Sequence, residues 1–275
     1  MAAPTPPRVL SIAGSDSGGG AGIQADLKAF AHCGAHGMTA ITAVTAQSTV
    51  AVTAVYPLPP DAVVEQVRAV VDDIGVDAVK IGMLGDAETI AAVARALDLV
   101  GDVPVVVDPV MVAESGAVLL DPRARDALRT QILPRATVAT PNLPEARVLA
   151  GLGDDAPAEE LARGVAALGV GAVVVTGGHA ERIVDVFFDG ERIVEIPGQR
   201  HLDGAAHGSG CTHSSALAVQ LARGVDPLEA ARRARSIAAA AVRDGLRGIG
   251  AGAGPVDVLG LASAAAGGQP APAEG

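Results

Sequence analysis

The sequence predicts an α/β fold, a mostly parallel central sheet with helices on both faces. Three observations carry that reading. Short runs of Val, Ile, Leu and Ala recur along the chain, each followed by a longer segment of helical periodicity. Glycine-rich and polar stretches follow the ends of those runs, where ligands bind in such sheets. The 275 residues, 49% of them hydrophobic, suit one large domain or two small ones with ample core material, and no internal repeat is visible. A single domain over residues 8–260 is expected, with 1–7 and 261–275 as disordered tails, because the C-terminal end from Ala262 is Ala, Gly and Pro with almost no anchoring side chains.

In chain order, Val9 to Ala13 reads as a buried strand that runs into the glycine loop Gly14 to Gly22. Ile23 to Cys33 then places Ile23, Leu27, Phe30 and Ala31 on one helical face. Further strands are expected at Met38 to Val44, Ala78 to Ile81, Val103 to Val107, Thr137 to Thr140 and Ala172 to Thr176. Helices are expected between them at Pro60 to Ile74, Ala87 to Leu99, Pro122 to Leu133, Leu143 to Leu149 and Ala158 to Leu168. Ile183 to Phe188 and Arg192 to Ile196 form a hairpin around Asp189-Gly190, a pair that tolerates positive φ. Two long helices, Gly210 to Arg223 and Pro227 to Asp244, close the domain.

Composition narrows the function. With three Phe, one Tyr and no Trp, aliphatic side chains must build the core. No apolar run approaches the ~20 residues of a membrane span, and Met1 to Pro7 lacks the basic and apolar regions of a signal peptide, so a cytoplasmic protein without membrane partners is expected. Two cysteines give neither a disulfide framework nor a metal knuckle. A net charge of −11 argues against nucleic acid and leaves a small-molecule substrate, or a nucleotide held by backbone amides and a cation.

The most informative stretch is His207-Gly208-Ser209-Gly210-Cys211-Thr212-His213, small residues that open an apolar helical run. A helix start has unpaired N–H groups and partial positive charge, so a phosphoryl group can approach the main chain there. Cys211 falls in the first turn, where a thiol is expected to ionise more easily and to serve an acceptor hydroxyl. A tight turn with a cysteine filling a gap accounts for the same residues, and the stretch alone leaves both open. The loop Gly14 to Gly22 is a poor dinucleotide fingerprint, since no acidic residue ends a second strand about 20 residues on. Asp108 follows one strand and Asn142 and Glu145 another. Such oxygen donors suit a hydrated Mg²⁺ beside phosphates, while Asn142 and Glu145 equally suit a capping box and Asp108-Pro109 a turn. Thr176-Gly177-Gly178-His179 carries the same ambiguity.

Taken together, AGSDSGGGAGIQADLK from Ala13, TAQST from Thr45, KIGML from Lys80, DPVMVAESG from Asp108, TPNLPEA from Thr140, TGGH from Thr176 and HGSGCT from His207 resemble, in order and spacing, the hydroxymethylpyrimidine/phosphomethylpyrimidine kinases of thiamine biosynthesis. The resemblance covers about Val9 to Leu259. It implies a ribokinase-like fold, ATP and Mg²⁺ as cofactors and commonly a homodimer. It also implies two successive phosphoryl transfers, to 4-amino-5-hydroxymethyl-2-methylpyrimidine and then to its monophosphate. By the same resemblance Gln47, Gly14, Asp26, Thr45 and Met83 belong to the substrate pocket. Asn142, Thr176, Gly178 and His207 fall to ATP and its phosphates, Glu145 and Asp108 to the metal, and Cys211 to catalysis with Gly208, Ser209 and Gly210. The match to the Asn-x-x-Glu pattern moves Asn142 and Glu145 from a cap to the phosphate and metal site. Departures from the family pattern are Thr176 for a frequent lysine, Ala205-Ala206 for Asn-Thr, Ser48 for Asn, Glu114 for Lys, and Ala251 and Ala253 for frequent histidines. A pyridoxal or pyridoxine kinase of the same superfamily and a degenerate pyrimidine-binding sensor are the competing readings.

Overall fold

A computed structural model of the protein describes residues 5–178, 183–201 and 204–267. Among them nine strands make one sheet: β1 (Arg8–Asp16), β2 (His36–Gln47), β3 (Val52–Pro57), β4 (Ala78–Ile81), β5 (Val105–Val107), β6 (Val138–Ala139), β7 (Ala172–Val175), β8 (Val184–Phe188) and β9 (Ile193–Pro197). Their spatial order is β3-β2-β1-β4-β5-β6-β7-β8-β9. The six strands from β2 to β7 run parallel, while β3 at one edge and the β8–β9 hairpin at the other are antiparallel.

The continuous apolar runs follow from this arrangement, because a parallel strand inside such a sheet is buried on both faces. Leu10, Ile12, Val79, Ile81, Val105, Val107, Val173 and Val175 supply one core, and the alternate residues Val9, Ala78, Val106, Ala172 and Val174 supply the other. Helices α2 (Pro60–Asp73), α3 (Ala87–Val100), α5 (Leu143–Ala150) and α6 (Ala158–Ala166) cover the first face through Val63, Ile90, Leu149 and Leu161. Helices α1 (Gly22–His32), α7 (Ser209–Ala222) and α8 (Pro227–Arg243) cover the second through Phe30, Leu217 and Ala231. Local signals set their ends. The Asp86 side chain accepts from Thr89 N at 2.8 Å, the Asp226 side chain from Leu228 N at 3.0 Å, and α5 ends at Gly151 in the left-handed region.

Four sequence expectations change. Strands β1 and β2 continue three residues past Ala13 and Val44, which carries Asp16 and Gln47 to the sheet's ligand end. Strand β3 went unread because Val55 and Tyr56 stay exposed on an edge that has no buried face to impose a pattern. The helix expected over Pro122 to Leu133 is a chain of short turns, with one α turn, α4 (Arg125–Ala127), before a π segment at Leu128–Ile132. Pro134, inside the 3₁₀ turn Leu133–Arg135, has no N–H for a carbonyl four residues back, and the ladder shifts register just before it. Beyond residue 260 the chain forms α9 (Leu261–Gly267) where a disordered tail was expected, since Asp257 accepts the first N–H groups from Leu261 and Ala262 at 2.9 and 2.8 Å. Residues 1–4 and 268–275, the rest of both expected tails apart from 5–7, lie outside the described residues.

Candidate active site

The parallel strands end in a cavity of about 420 Å³, which runs across the sheet from β2 to β8 under the start of α7. Its floor is the order in which the strands arrive. Thr45 and Gln47 come from β2, Gly14 to Asp16 from β1, and Met83 follows β4. Asp108 follows β5, Asn142 follows β6 and Thr176 follows β7.

The glycine loop after β1 is built on a carboxylate. Asp16 accepts from the backbone N–H groups of Gly18, Gly20 and Ala21 at 2.7, 3.0 and 2.8 Å, and His207 Nε2 lies 3.2 Å from it. Burial opposes the charge, but the His207 ring and the Ala21 and Gly18 amides together hold the Asp16 carboxyl below its usual range. These N–H groups therefore enclose the protein's own anion, which rules out a dinucleotide phosphate on them. His207 lines the cavity as expected, but its ring turns to Asp16.

The start of α7 is pressed against that loop. Gly208 has φ +83° and a Cβ there would meet the Gly20 carbonyl oxygen at 1.8 Å, so only glycine fits. Residues Gly208, Ser209, Gly210 and Cys211 all line the cavity, and among the described residues no side chain caps the helix. The Ser209 N–H is taken by the Ala206 carbonyl at 3.0 Å, which leaves the anion-binding role of this terminus to its neighbours.

Beneath α7 lies a charge centre the sequence did not reveal. Lys80 of β4 is fully buried, and its Nζ is 2.9 and 3.1 Å from the two oxygens of Asp26. Ser11 and Ser215 donate to the same carboxylate at 2.6 and 2.8 Å. Asp26 is thus absent from the cavity wall: its oxygens point into the sheet and are taken by protein donors, whereas Lys80 lines the wall. Burial works against the Lys80 charge, but Asp26, with Asp108 beyond it, holds the ammonium above the usual lysine value. The expectation of an acidic thiol is reversed. Burial pushes Cys211 up to about 12, Lys80 opposing and the two carboxylates adding to the rise, so the resting group is a thiol.

Asp108 and Glu145 are the buried carboxylates of the next segment. Burial raises Asp108 against the pull of Lys80 and of the Ser214 hydroxyl, which donates to it at 3.1 Å. Burial and Asp108 push Glu145 up to about 8. The capping box is real: Asn142 Oδ1 accepts from Glu145 N at 2.9 Å and Glu145 Oε2 accepts from Asn142 N at 3.0 Å. Glu145 Oε1 accepts from Met111 N at 3.2 Å. Both residues nevertheless line the cavity with Asp108. Two carboxylates that burial pushes up, Asp108 also raising Glu145, fit a hard cation, and Mg²⁺ takes its remaining ligands from phosphate oxygens and water. Among the described residues no group of three or more His, Cys, Asp and Glu gathers into an all-protein metal site. Thr176 and Gly178 complete this end, and His179 lies outside the described residues.

At the other end Gly14, Thr45, Gln47 and Met83 share a wall. A Cβ on Gly14 would touch Met83 Sδ at 3.0 Å, so the glycine keeps this lobe open. Thr45 Oγ1 lies 3.0 Å from the Ser15 carbonyl and 3.1 Å from Gln47 Oε1, which steadies the Gln47 amide. Besides Lys80, the sequence reading missed Asp16 and the cavity-lining His213. A lysine inside an otherwise apolar strand was the one legible signal among them.

An acceptor lobe, a helix start suited to phosphoryl groups and a carboxylate pair, carried on this sheet, define a ribokinase-like small-molecule kinase. The chain belongs to the phosphomethylpyrimidine kinase family, whose model matches residues 16–257. It is 49% identical over 253 residues to the hydroxymethylpyrimidine/phosphomethylpyrimidine kinase of Rhizobium meliloti, covering 90% of this chain and 95% of that one. Among solved structures, a Bacillus subtilis pyridoxal kinase in an ADP complex superposes with a TM-score of 0.85 at 37% identity, covering 94% and 99% of the two chains. The phosphomethylpyrimidine kinase of Clostridium difficile gives 0.72 at 37% identity, covering 83% and 97%.

Proposed function

We propose that the protein transfers the terminal phosphoryl group of ATP to the hydroxymethyl group of 4-amino-5-hydroxymethyl-2-methylpyrimidine, and then transfers a second one to the monophosphate. The observation that carries this is the position of the α7 start. Gly210 lies over Asp108 at the end of β5, with Gln47 three strands away on one side and Asp185 of β8 three strands away on the other. At about 4.8 Å per strand, each lobe extends roughly 14 Å from the transfer point, room for one ligand on either side.

In the acceptor lobe the Gln47 amide offers a donor and an acceptor to the amino-pyrimidine edge, and Met83 covers the ring. In the donor lobe Asn142, Thr176 and Gly178 flank the phosphates. Asp108 and Glu145 would hold Mg²⁺, which supplies charge neutralisation to the phosphates when bound. Lys80 and the uncapped turn at Gly208 to Cys211 place positive charge where the transferred group gains negative charge. Cys211 faces the acceptor hydroxyl as a neutral thiol, so base strength contributes less than position, which a loose phosphoryl-transfer transition state tolerates.

Pyridoxal kinase is the alternative reading, supported by the structural relative of higher TM-score, which is named a pyridoxal kinase. The chain is also proposed to act as a homodimer, a state supported by the exposed Val55 and Tyr56 on the β3 edge and checked by light scattering. The described residues contain no helix long and apolar enough to cross a membrane, and a cytoplasmic location belongs to the same proposal. Coupled ADP release with the pyrimidine alcohol, its monophosphate and pyridoxal side by side tests the assignment. Turnover of both pyrimidines is expected, and turnover of pyridoxal alone would replace it.

A further inference from the structure

The lobe remote from Gln47 contains buried polar atoms without hydrogen-bond partners among the described residues. His213, on the second turn of α7, is 4% exposed and lines the cavity, yet among the described residues neither Nδ1 nor Nε2 has a hydrogen-bond partner. Beside it, Asp185 of β8 is fully buried. Its Oδ1 accepts from Gly177 N at 2.9 Å and lies 3.4 Å from Arg235 Nη1 of α8, whereas neither its Oδ2 nor Arg235 Nε has a hydrogen-bond partner among the described residues. Burial lowers the His213 pKa, with Asp185 opposing and Arg235 adding, so the ring is neutral at pH 7 and presents one donor and one acceptor. Buried polar groups are almost always satisfied, and a set left open along a cavity wall points to a ligand that satisfies it.

The surroundings say which part of a ligand this is. The helix start that suits phosphates lies one turn away at Gly210 and Cys211, while the His213 wall carries the Asp185–Arg235 pair, whose charges offset and whose Asp185 Oδ2 is left to accept from hydroxyl or amino groups. Ala238 and Val242 of α8 add apolar surface against which a flat ring packs. We infer that His213, beside the Asp185–Arg235 pair, hydrogen-bonds the nucleoside portion of the phosphoryl donor and is a nucleotide-binding residue of this chain. The inference rests on the kinase reading above.

The test is calorimetric titration of ADP and, separately, of inorganic pyrophosphate into the wild type, His213→Leu and His213→Gln, with KM values for ATP and the pyrimidine alcohol. His213→Leu is expected to weaken ADP about tenfold and to raise the ATP KM, leaving pyrophosphate affinity and the pyrimidine KM unchanged, and His213→Gln to restore most of the loss. Unchanged ADP affinity in a folded His213→Leu overturns the inference, as does an equal loss for pyrophosphate, which would move the ring to the phosphate end. Should His213→Leu not fold, His213→Met is read by the same criteria. A wild type that binds no ADP removes the kinase reading itself, a result distinct from equal binding by wild type and variant.

Discussion

Cys211 shows how much of a residue's chemistry depends on what folding brings near it. From its place in a helix start it reads as an acidic thiol, but burial with two carboxylates nearby keeps it protonated at neutral pH. A neutral thiol is no general base but can hold the acceptor hydroxyl by a hydrogen bond, so Cys211→Ala is expected to lower transfer to the pyrimidine alcohol by about tenfold, below the ~10²-fold at which the loss of a general base begins. Transfer to the monophosphate, whose acceptor is already anionic, should fall less. Steady-state ADP release with each acceptor, with Cys211→Ser as the packing control, separates the two, and equal losses would assign Cys211 to packing. Gln47→Leu keeps the volume and removes the donor and acceptor. A lost neutral hydrogen bond contributes ~0.5–1.5 kcal/mol and an unpaired buried group ~1–3 kcal/mol, so the pyrimidine alcohol should bind about tenfold more weakly in calorimetry without nucleotide. His213 also governs a pH effect. Its folded pKa lies below the unfolded value of 6.5, so below that pH the unfolded chain takes up the proton first and stability falls. The groups facing it are Asp185 of β8 and Arg235 of α8. Melting temperatures from pH 7.5 to 5 should drop further for the wild type than for His213→Leu, and parallel profiles would show a ring that does not titrate differently on folding. The residues that sequence reading missed depend on distant partners. Asp16 meets His207 191 positions away and Lys80 meets Asp26 54 away, separations that no local pattern reveals.

At the scale of elements, Lys80 joins four of them. It comes from β4, its partner Asp26 from α1, and the serines that complete the carboxylate's shell from β1 and α7. This buried pair therefore locks the helix start over the strand ends. Removing one partner leaves an uncompensated charge, so Lys80→Met should cost about 3–5 kcal/mol in urea unfolding, and adding Asp26→Asn should recover part of it. Equal stability of the wild type and Lys80→Met would show that the pair is not needed to hold those elements. The strands and most helices were legible because their apolar runs answer to burial on two faces or one. What was not legible had other causes. The two-sided exposure of β3 erases its pattern, Pro134 interrupts a periodic segment, and Asp257 starts a helix in a tail whose composition reads as disordered. Most of the predicted site residues reached one cavity because they lie just past strand ends, where the order of the sheet places them side by side. Asp26 did not, since its helix turns it back into the sheet.

At the scale of the whole molecule, the sheet aligns the lobe proposed for the acceptor, the glycine-rich helix start and the lobe proposed for the donor across its strand ends, and the central claim is that this line is used twice on the same pyrimidine. After the first transfer, the product carries its phosphate at the place where the transferred group arrived, and it must move back far enough for a second donor to meet it. The openness of the Gln47 end, kept by Gly14 against Met83, gives it that room. The most direct measurement is ³¹P NMR of a single incubation of the protein with the pyrimidine alcohol, excess ATP and Mg²⁺. The account predicts a pyrimidine monophosphate signal that rises and then falls as the two coupled signals of the diphosphate appear, with ADP formed at two equivalents per pyrimidine. A time course that stops at the monophosphate, or ATP left unchanged beside the pyrimidine, would contradict it.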